Sequence, residues 1–185
     1  KNAGTTVLAL QRDPTSLALL SSQRNQDADR FLEEQLENLP VGILCIDAPL
    51  SLPKVFRSKA TRFPPNADYF YRACDKELRG MSPMFLGGLT ARAMRLAALL
   101  RAKGFTVIEG YPSALSRELG INRNTTTLQS VITKQLRAAL GLAVGPQALR
   151  SPHQRDACLA FLTAQRFRDG KARVYGNDRE GVIVI

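Results

Sequence analysis

Three acidic residues, Asp47, Glu109 and Asp156, stand at the ends of apolar segments that are far apart in the sequence. A carboxylate in such a place is costly to desolvate unless a counter-charge compensates it. Convergent carboxylates are tolerated when a divalent cation holds them together. A pair of such cations can activate water and stabilise the leaving oxygen of a phosphodiester. The three acids therefore suggest a metal site with hydrolytic chemistry, provided that the fold brings them into one pocket.

Basic residues outnumber acidic ones, 26 Lys and Arg against 16 Asp and Glu, which gives a formal charge of +10. Such a charge favours polyanionic partners and steers their association. A nuclease needs an acidic metal pocket together with Arg and Lys on the flanking phosphates, so nucleic acid, either DNA or RNA, is the expected partner. The residues expected to contact it are Arg57, Arg62, Arg72, Arg79, Arg92 and Arg95.

Each of the three acids also has a simpler interpretation that needs no metal. Asp47 precedes Ala48 and Pro49, and such a sequence forms turns at strand ends. Glu109 could form an ion pair with a nearby Arg, and Asp156 could be an exposed acid on a helix. The choice between these alternatives and a metal site depends on the elements that position the three side chains.

Asp47 and Glu109 each belong to the end of a short apolar run. Residues 42–46 and 105–109 are rich in β-forming side chains, which predicts two buried strands. Between them, residues 90–103 repeat apolar side chains at helical spacing. A strand, a helix and another strand form a right-handed crossover with parallel strands. We therefore expect Asp47 and Glu109 at the same edge of one sheet.

The other elements follow from periodicity and from capping signals. Ser151, Pro152 and Gln154 form a capping box that begins a helix, and Asp156 falls in its second turn. The remaining predicted elements are strands at 5–10 and 16–22 joined as an antiparallel hairpin, helices at 27–38, 112–119 and 127–140, and a final strand at 181–185.

Residues 54–88 show neither a helical nor a strand period, and they contain several Pro and Gly residues. A connection of this length inside a compact domain is usually functional or mobile. Basic residues alternate with aromatic ones through the segment, which is typical of a clamp that stacks bases and contacts phosphates. The interpretation preferred here is a lid whose aromatic side chains fill a small core of their own, while its Arg and Lys side chains still face phosphate.

The length of 185 residues fits a single domain over 1–185, with residues 54–88 as an insertion. No apolar run approaches the ~20 residues that a membrane span needs, so no membrane association is expected. The three Cys residues are odd in number and far apart, which disfavours both disulfides and zinc. We therefore expect a cytoplasmic protein whose cysteines are reduced.

Four short segments, taken in chain order, are similar to the motif series of one protein family. They are residues 46–53 (IDAPLSLP), 72–79 (RACDKELR), 109–112 (EGYP) and 153–157 (HQRDA). The series resembles that of a prokaryotic family known as domain of unknown function 429, whose members are regarded as predicted nucleases with an RNase H-like fold. The resemblance covers nearly the whole chain.

The resemblance implies roles for particular residues. Asp47 and Asp156 would bind Mg²⁺ or Mn²⁺, and Glu109 would be a further catalytic ligand. Asp75 would be an additional ligand or would support one by hydrogen bonding, and His153 would position water or bind phosphate. The simpler alternatives are a salt bridge from Asp75 to an Arg at helical spacing and a capping or solvent-facing His153.

The expected fold is α/β and RNase H-like: a mixed sheet opened by the antiparallel hairpin, continued by parallel strands, flanked by helices and carrying a basic loop insertion. In the family, a first strand with an Asp precedes this sheet, and we expect that strand upstream of Lys1. Metal-dependent hydrolysis of nucleic acid is the leading function. The alternative is a non-catalytic nucleic-acid-binding protein with the same fold. An actin-like kinase would need a Gly-rich phosphate loop, of which only Gly4 is present.

Overall fold

The structure, a computed structural model, describes residues 6–57, 62–121, 129–144, 149 and 151–185. Residues 5, 127 and 128, assigned above to a strand and a helix, lie outside this part, as do residues 58–61 of the predicted insertion. The chain divides into two compact units. Unit 1 contains Lys1–Val41 and Pro112–Gln165, and unit 2 contains Gly42–Tyr111 and Arg166–Ile185.

Strands and helices are interspersed along the described residues. The strands are β1 (Val7–Asp13), β2 (Ser16–Ser21), β3 (Ile43–Ile46), β4 (Thr106–Glu109), β5 (Ala143–Val144), β6 (Val174–Asn177) and β7 (Gly181–Val184). The helices are α1 (Ala28–Leu36), α2 (Lys54–Arg57), α3 (Ala73–Leu78), α4 (Pro83–Leu86), α5 (Gly88–Ala102), α6 (Pro112–Glu118), α7 (Gln129–Leu140) and α8 (Pro152–Arg168). A mixed α/β architecture is confirmed. The expectation of one sheet that runs from the hairpin into the parallel strands is wrong for the described residues, because β1 and β2 pair with β5 whereas β3 pairs with β4 in a separate sheet. The RNase H-like fold and the single domain over 1–185 stay predictions.

In unit 1, β1 and β2 form the predicted antiparallel hairpin, with Leu8 opposite Leu20. Asp13 closes its turn by accepting hydrogen bonds from the Ser16 hydroxyl and from the Thr15 N–H, the latter at 2.8 Å. The Ser16 hydroxyl, followed by the Thr15 hydroxyl and N–H, lowers the pKa of Asp13 to about 2. β5 pairs parallel to β2 and completes a mixed three-stranded sheet.

Two helices of unit 1, α1 and α8, begin at side-chain caps. Asp27 precedes α1 and accepts hydrogen bonds from the first N–H groups of that helix. The predicted capping box begins α8: the Ser151 hydroxyl accepts from the Gln154 N–H at 3.2 Å, and Gln154 Oε1 accepts from the Ser151 N–H at 2.9 Å. Buried side chains that anchor these elements include Leu17, Phe31, Leu36, Leu136, Leu159 and Leu162. They hold the helix that carries His153 and Asp156.

Unit 2 is built on the predicted strand–helix–strand unit. β3 and β4 are parallel, with Ile46 opposite Glu109, and α5 packs on β4. The buried face of α5 consists of Ala93, Leu96, Ala97 and Leu100. Full burial of a Leu side chain stabilises a fold by roughly 1.5–3 kcal/mol. The hairpin of β6 and β7 joins the same unit through a parallel bridge between Gly110 and Val184.

Three short helices, α2, α3 and α4, lie in the segment 54–88, for which the sequence predicted no regular structure. α4 begins at Ser82, whose hydroxyl accepts from the Met84 N–H at 3.0 Å, with Pro83 in the first position. Helices of this length do not form in isolation and are too short to show a period. Contacts within the folded unit therefore determine them. In the described residues, no helix is both long and apolar enough to cross a membrane.

Candidate functional site

Two acids lie at one edge of the β3–β4 pair. Asp47 is the first residue after β3, and Glu109 is the last residue of β4. Because the strands are parallel and Ile46 lies opposite Glu109, the two acids reach the same edge, as predicted. Asp47 is exposed to solvent, whereas Glu109 is only 5% exposed. In open α/β sheets, ligands bind at this edge, outside the carboxyl ends of the strands.

The buried Glu109 carboxylate accepts three hydrogen bonds. Arg72 donates from Nη2 to Oε1 at 2.6 Å and from Nη1 to Oε2 at 2.7 Å. The Leu50 N–H donates to Oε2 at 2.7 Å. Burial raises the pKa of Glu109 above its ordinary value, while Arg72 and the Leu50 N–H oppose that rise. Glu109 therefore forms the ion pair with a local Arg that the sequence left open, and it ties the loop after Asp47 to the sheet.

Arg72 has no exposed surface. A guanidinium has five N–H donors, and two of them bind Glu109 as described. Nε and Nη2 donate to Asp75 at 3.0 and 2.7 Å, and Nη1 donates to the Ser51 hydroxyl at 2.8 Å. The prediction that Arg72 contacts nucleic acid is thus corrected, because its donors are engaged inside the protein and no surface is left for a phosphate.

Asp75 is 2% exposed and lies on the other side of the guanidinium. Its carboxylate also accepts from the Arg72 backbone N–H at 2.8 Å. Of the two arginines at helical spacing, Asp75 therefore bonds Arg72, and Arg79 is exposed at the end of α3. A buried charge is tolerated when it is paired and its remaining lone pairs are bonded. We call Ser51, Arg72, Asp75 and Glu109 the Arg72 cluster.

The turn of the C-terminal hairpin is bonded to the Arg72 cluster. The Ser51 hydroxyl donates to the Glu180 carbonyl at 2.7 Å, and the Glu180 carboxylate accepts from the Ala73 N–H at 2.8 Å. Gly181 has φ of +101°, and a Cβ at this position would overlap the Ser51 hydroxyl. Glycine is therefore needed for both the backbone conformation and the close approach. Sequence reasoning missed Glu180, because no spacing pattern links it to Ala73, 107 residues earlier.

The other two predicted catalytic residues lie on α8. Asp156 is partly buried and His153 is exposed. Both belong to unit 1, whereas Asp47, Glu109 and Asp75 belong to unit 2. The convergence of Asp47, Glu109 and Asp156 in one pocket stays a prediction. Across the described ranges, no three or more His, Cys, Asp or Glu side chains are grouped so as to hold a metal ion.

Asp47 is the candidate metal ligand of unit 2. Mg²⁺ often binds proteins through one or two carboxylates and completes its coordination with water and substrate phosphates. An exposed carboxylate on a loop fixed by hydrogen bonds fits such a site. Glu109 fits it poorly, because the oxygens of Glu109 already accept bonds from Arg72 and Leu50.

The remaining predicted phosphate contacts belong to unit 2. Arg57, Arg62, Arg79 and Arg95 are exposed, and Arg92 is partly buried. Their exposure is what contact with a polyanion requires, in contrast to Arg72. Binding of nucleic acid by these five residues stays a prediction.

Five aromatic residues between 54 and 88 form two groups of ring contacts, and we call the five together the aromatic surface. Their ring centroids are separated by 6.2 Å for Phe56 and Tyr69, 5.3 Å for Phe70 and Phe85, and 6.1 Å for Tyr71 and Phe85. Phe56, Tyr69, Phe70 and Phe85 are 48, 45, 49 and 63% exposed. The rings do not fill a core of their own, so the interpretation of this segment as a lid with an internal aromatic core is wrong.

The three cysteines are poor nucleophiles. Burial raises the pKa of Cys74 and of Cys158 to about 12. Burial, and next the charges of Asp47 and Glu109, raise the pKa of Cys45 well above its ordinary value. Because the thiolate is the reactive form, none of these thiols is suited to attack at neutral pH.

Comparisons with known proteins find no relative of this chain. No protein-family model matches the chain, and searches of curated proteins and of solved structures find no match. The resemblance to the family known as domain of unknown function 429 therefore stays a prediction, drawn from the four motif segments and their order in the chain.

Proposed function

We propose that the chain is a metal-dependent nuclease with an RNase H-like fold, and that Asp47 is its central metal ligand. The observation that carries the proposal is an exposed carboxylate at the ligand-binding edge of β3 and β4, on a loop that the Arg72 cluster holds in place. Bound Mg²⁺ or Mn²⁺ would supply an activated water and charge stabilisation for phosphodiester hydrolysis. The formal charge of +10 supports attraction of nucleic acid.

Arg72 and Glu109 act in this proposal by positioning Asp47. Glu109 accepts from the Leu50 N–H and Arg72 donates to the Ser51 hydroxyl, so the chain immediately after Asp47 is bonded to two buried charges. A ligand held near its bound geometry by supporting hydrogen bonds gives a more precise site than one on an unsupported loop. The Arg72 cluster is therefore assigned to support, and Asp47 to contact with the cation.

The proposal also includes Asp156 and His153, because their segment is the last of the four motif segments. Asp156 would be the second carboxylate ligand, and His153 would orient water or contact a phosphate. The two roles separate by measurement. Asp156→Asn should weaken metal binding, whereas His153→Ala should slow cleavage and leave metal affinity unchanged.

A cleavage assay tests the proposed function. Fluorescein-labelled single-stranded and duplex DNA and RNA are incubated with the full chain in Mg²⁺, in Mn²⁺ or in EDTA. Asp47→Asn should lose more activity than the roughly 10- to 100-fold that changes to supporting residues cost. Asp178→Asn is the matched control, because Asp178 is an exposed carboxylate of the same unit. Equal activity in the two variants, or cleavage that persists in EDTA, would refute the proposal.

The second candidate is a non-catalytic nucleic-acid-binding protein. The observation that favours it is the engagement of Glu109 by Arg72, which leaves unit 2 with Asp47 as its candidate ligand. Such a protein would bind nucleic acid in EDTA, cleave none of the four substrates in either metal, and keep the same affinity in Asp47→Asn. The cleavage assay and a binding assay in EDTA together separate the two candidates.

A further inference from the structure

We infer that the aromatic surface, formed by Phe56, Tyr69, Phe70, Tyr71 and Phe85, is a docking surface for single-stranded nucleic acid. Single strands would then be the preferred substrate class of the proposed nuclease. The catalytic meaning of this inference rests on the proposed function, whereas the binding that it predicts is measured without any cleavage.

Exposed apolar side chains are concentrated in this part of the sequence of unit 2. Besides the four half-exposed rings, Met81, Met84 and Leu89 are 60, 37 and 42% exposed. Apolar residues that are exposed singly are ordinary, but exposed clusters of them mark binding surfaces. The clustering here is direct, because Phe85 contacts both Phe70 and Tyr71.

Hydrogen bonds hold the backbone that carries these rings. The Asp68 carboxylate accepts from the N–H groups of Phe70 and Tyr71, each at 2.8 Å, and pairs with Lys76 at 2.6 Å. The Ser82 hydroxyl donates to the Phe70 carbonyl at 2.6 Å. The rings are therefore presented from a fixed backbone, and little conformational entropy is lost when a partner binds them.

The charged residues around the aromatic surface indicate which class of partner binds it. Among the described residues of 54–88, Lys54, Arg57, Arg62, Lys76 and Arg79 are exposed cations, whereas Glu77 is the exposed acid and Asp68 is partly buried against Lys76. A polyanion with exposed π faces matches both features. Bases stack on aromatic side chains with little sequence preference, and backbone phosphates pair with Lys and Arg. A duplex keeps its base faces stacked inside, so the match is to a single strand.

The aromatic surface begins next to the candidate metal edge. α2, which carries Phe56 and Arg57, starts directly after the loop that follows Asp47. Nη1 of Arg57 lies 3.9 Å from the point that a Cβ at Gly181 would occupy, and Gly181 adjoins the turn bonded to Ser51. A strand stacked on these rings therefore lies beside the loop that the Arg72 cluster holds.

Fluorescence anisotropy in EDTA tests the inference with the full chain. The probes are fluorescein-labelled oligothymidylate and oligouridylate of about 20 nucleotides, longer than the site of one binding module, and a duplex of equal length. Phe70→Ala and Phe85→Ala should each weaken single-strand binding by roughly 5- to 100-fold. Phe167→Ala, which removes an exposed ring on α8, is the matched control and should bind as wild type does.

The salt dependence of the same binding separates rings from charges. Arg62→Gln should lower the slope of log K against log salt by about 0.7, the value for one phosphate contact on a single strand. Phe70→Ala and Phe85→Ala should keep the wild-type slope at lower affinity. Thermal melts by circular dichroism check folding, and Phe56→Ala replaces any ring variant that unfolds.

Several results would overturn the inference. They are unchanged affinity in the ring variants, duplex binding as tight as single-strand binding, and the absence of nucleic-acid binding. Self-association that depends on Phe70 and Phe85 in sedimentation would assign the surface to a second copy instead. The binding assay contains EDTA, so its outcome does not depend on cleavage. Ring-dependent binding in EDTA together with no cleavage in Mg²⁺ would reject the nuclease and retain this inference. Metal-dependent cleavage with no preference for single strands would do the reverse.

Discussion

The guanidinium of Arg72 lies buried between the carboxylates of Glu109 and Asp75. In the sequence, Arg72 is one of several arginines among aromatic residues, and its type gives no sign of whether it faces solvent or the interior. The partner that determines its place, Glu109, lies 37 residues later. Basic composition therefore did not distinguish Arg72 from the other five arginines, for which contact with nucleic acid stays a prediction.

Loss of Arg72 should be severe, because it leaves two carboxylates buried without a counter-charge. We expect Arg72→Met to lower the free energy of unfolding by about 3–5 kcal/mol at neutral pH, measured by urea denaturation. Arg79→Met, at an exposed position of the same segment, should change the free energy of unfolding by less than about 0.5 kcal/mol. Equal stabilities of the two variants would contradict the burial of Arg72.

The same variant should also show a pH dependence of definite sign. Burial raises the pKa of Glu109, and without Arg72 nothing of equal strength opposes that rise. A carboxyl whose pKa is raised on folding binds more protons in the folded state, so stability increases as the pH falls towards the ordinary pKa. The deficit of Arg72→Met relative to wild type should therefore shrink between pH 7 and pH 5. A deficit that grows over this range would contradict the assignment.

Asp68 should affect the pH dependence of stability in the opposite direction to Glu109, and more weakly. The Lys76 side chain, followed by the Tyr71 N–H, lowers its pKa to about 2. The stability that ionised Asp68 contributes is present above the ordinary pKa and is lost as the pH falls towards 2. Because Lys76 is 58% exposed, we expect Asp68→Asn to cost only about 0.2–1 kcal/mol at pH 6.

Urea denaturation at pH 6 and again near pH 2.5 measures this effect. The difference between wild type and Asp68→Asn should be smaller at the lower pH, which approaches the folded-state pKa of about 2. Glu77→Gln, at an exposed acid of α3, the helix that carries Lys76, is the control and should have the stability of wild type. A difference of equal size at both pH values would show that the Asp68 charge is not its source.

At the level of elements, the sequence predicted the strands and helices whose own residues show a clear apolar run or spacing. The apolar runs of β3 and β4 and the helical period of α5 identified the crossover, and with it the common edge of Asp47 and Glu109. The two residues of β5 carry no period, and their pairing with β2 depends on Ser16 and Leu17, more than a hundred residues earlier. β6 and the short helices α2 to α4 likewise depend on contacts that the chain makes only after folding.

The C-terminal hairpin provides an element-level test of close packing. Gly181→Ala places a Cβ against the Ser51 hydroxyl at φ of +101°, whereas a Cβ at Gly170, where φ is +66°, meets no atom within 4 Å. Gly170→Ala should cost about 1–2 kcal/mol from backbone strain alone. Gly181→Ala should cost clearly more, seen as a larger drop in melting temperature. Equal losses would show that the hairpin turn does not contact the Ser51 loop.

At the level of the whole molecule, charge predicted a partner class and the order of the elements predicted a fold class, but neither predicted the division of the chain. Each compact unit combines two separate stretches of sequence, and the length of the chain gives no sign of this division. The expectation of one domain over 1–185 came from length alone. The family resemblance was inferred from four segments, and the first three of them contribute residues to the Arg72 cluster within unit 2. The family itself stays a prediction.

Calorimetric titration of Mn²⁺ into the full chain tests the central claim, that Asp47 holds a catalytic cation. Wild type and Asp178→Asn should bind Mn²⁺ with the same affinity, and Asp47→Asn should bind it far more weakly or not at all. Equal Mn²⁺ affinity in Asp47→Asn and Asp178→Asn, or no binding by wild type up to millimolar Mn²⁺, would contradict the claim.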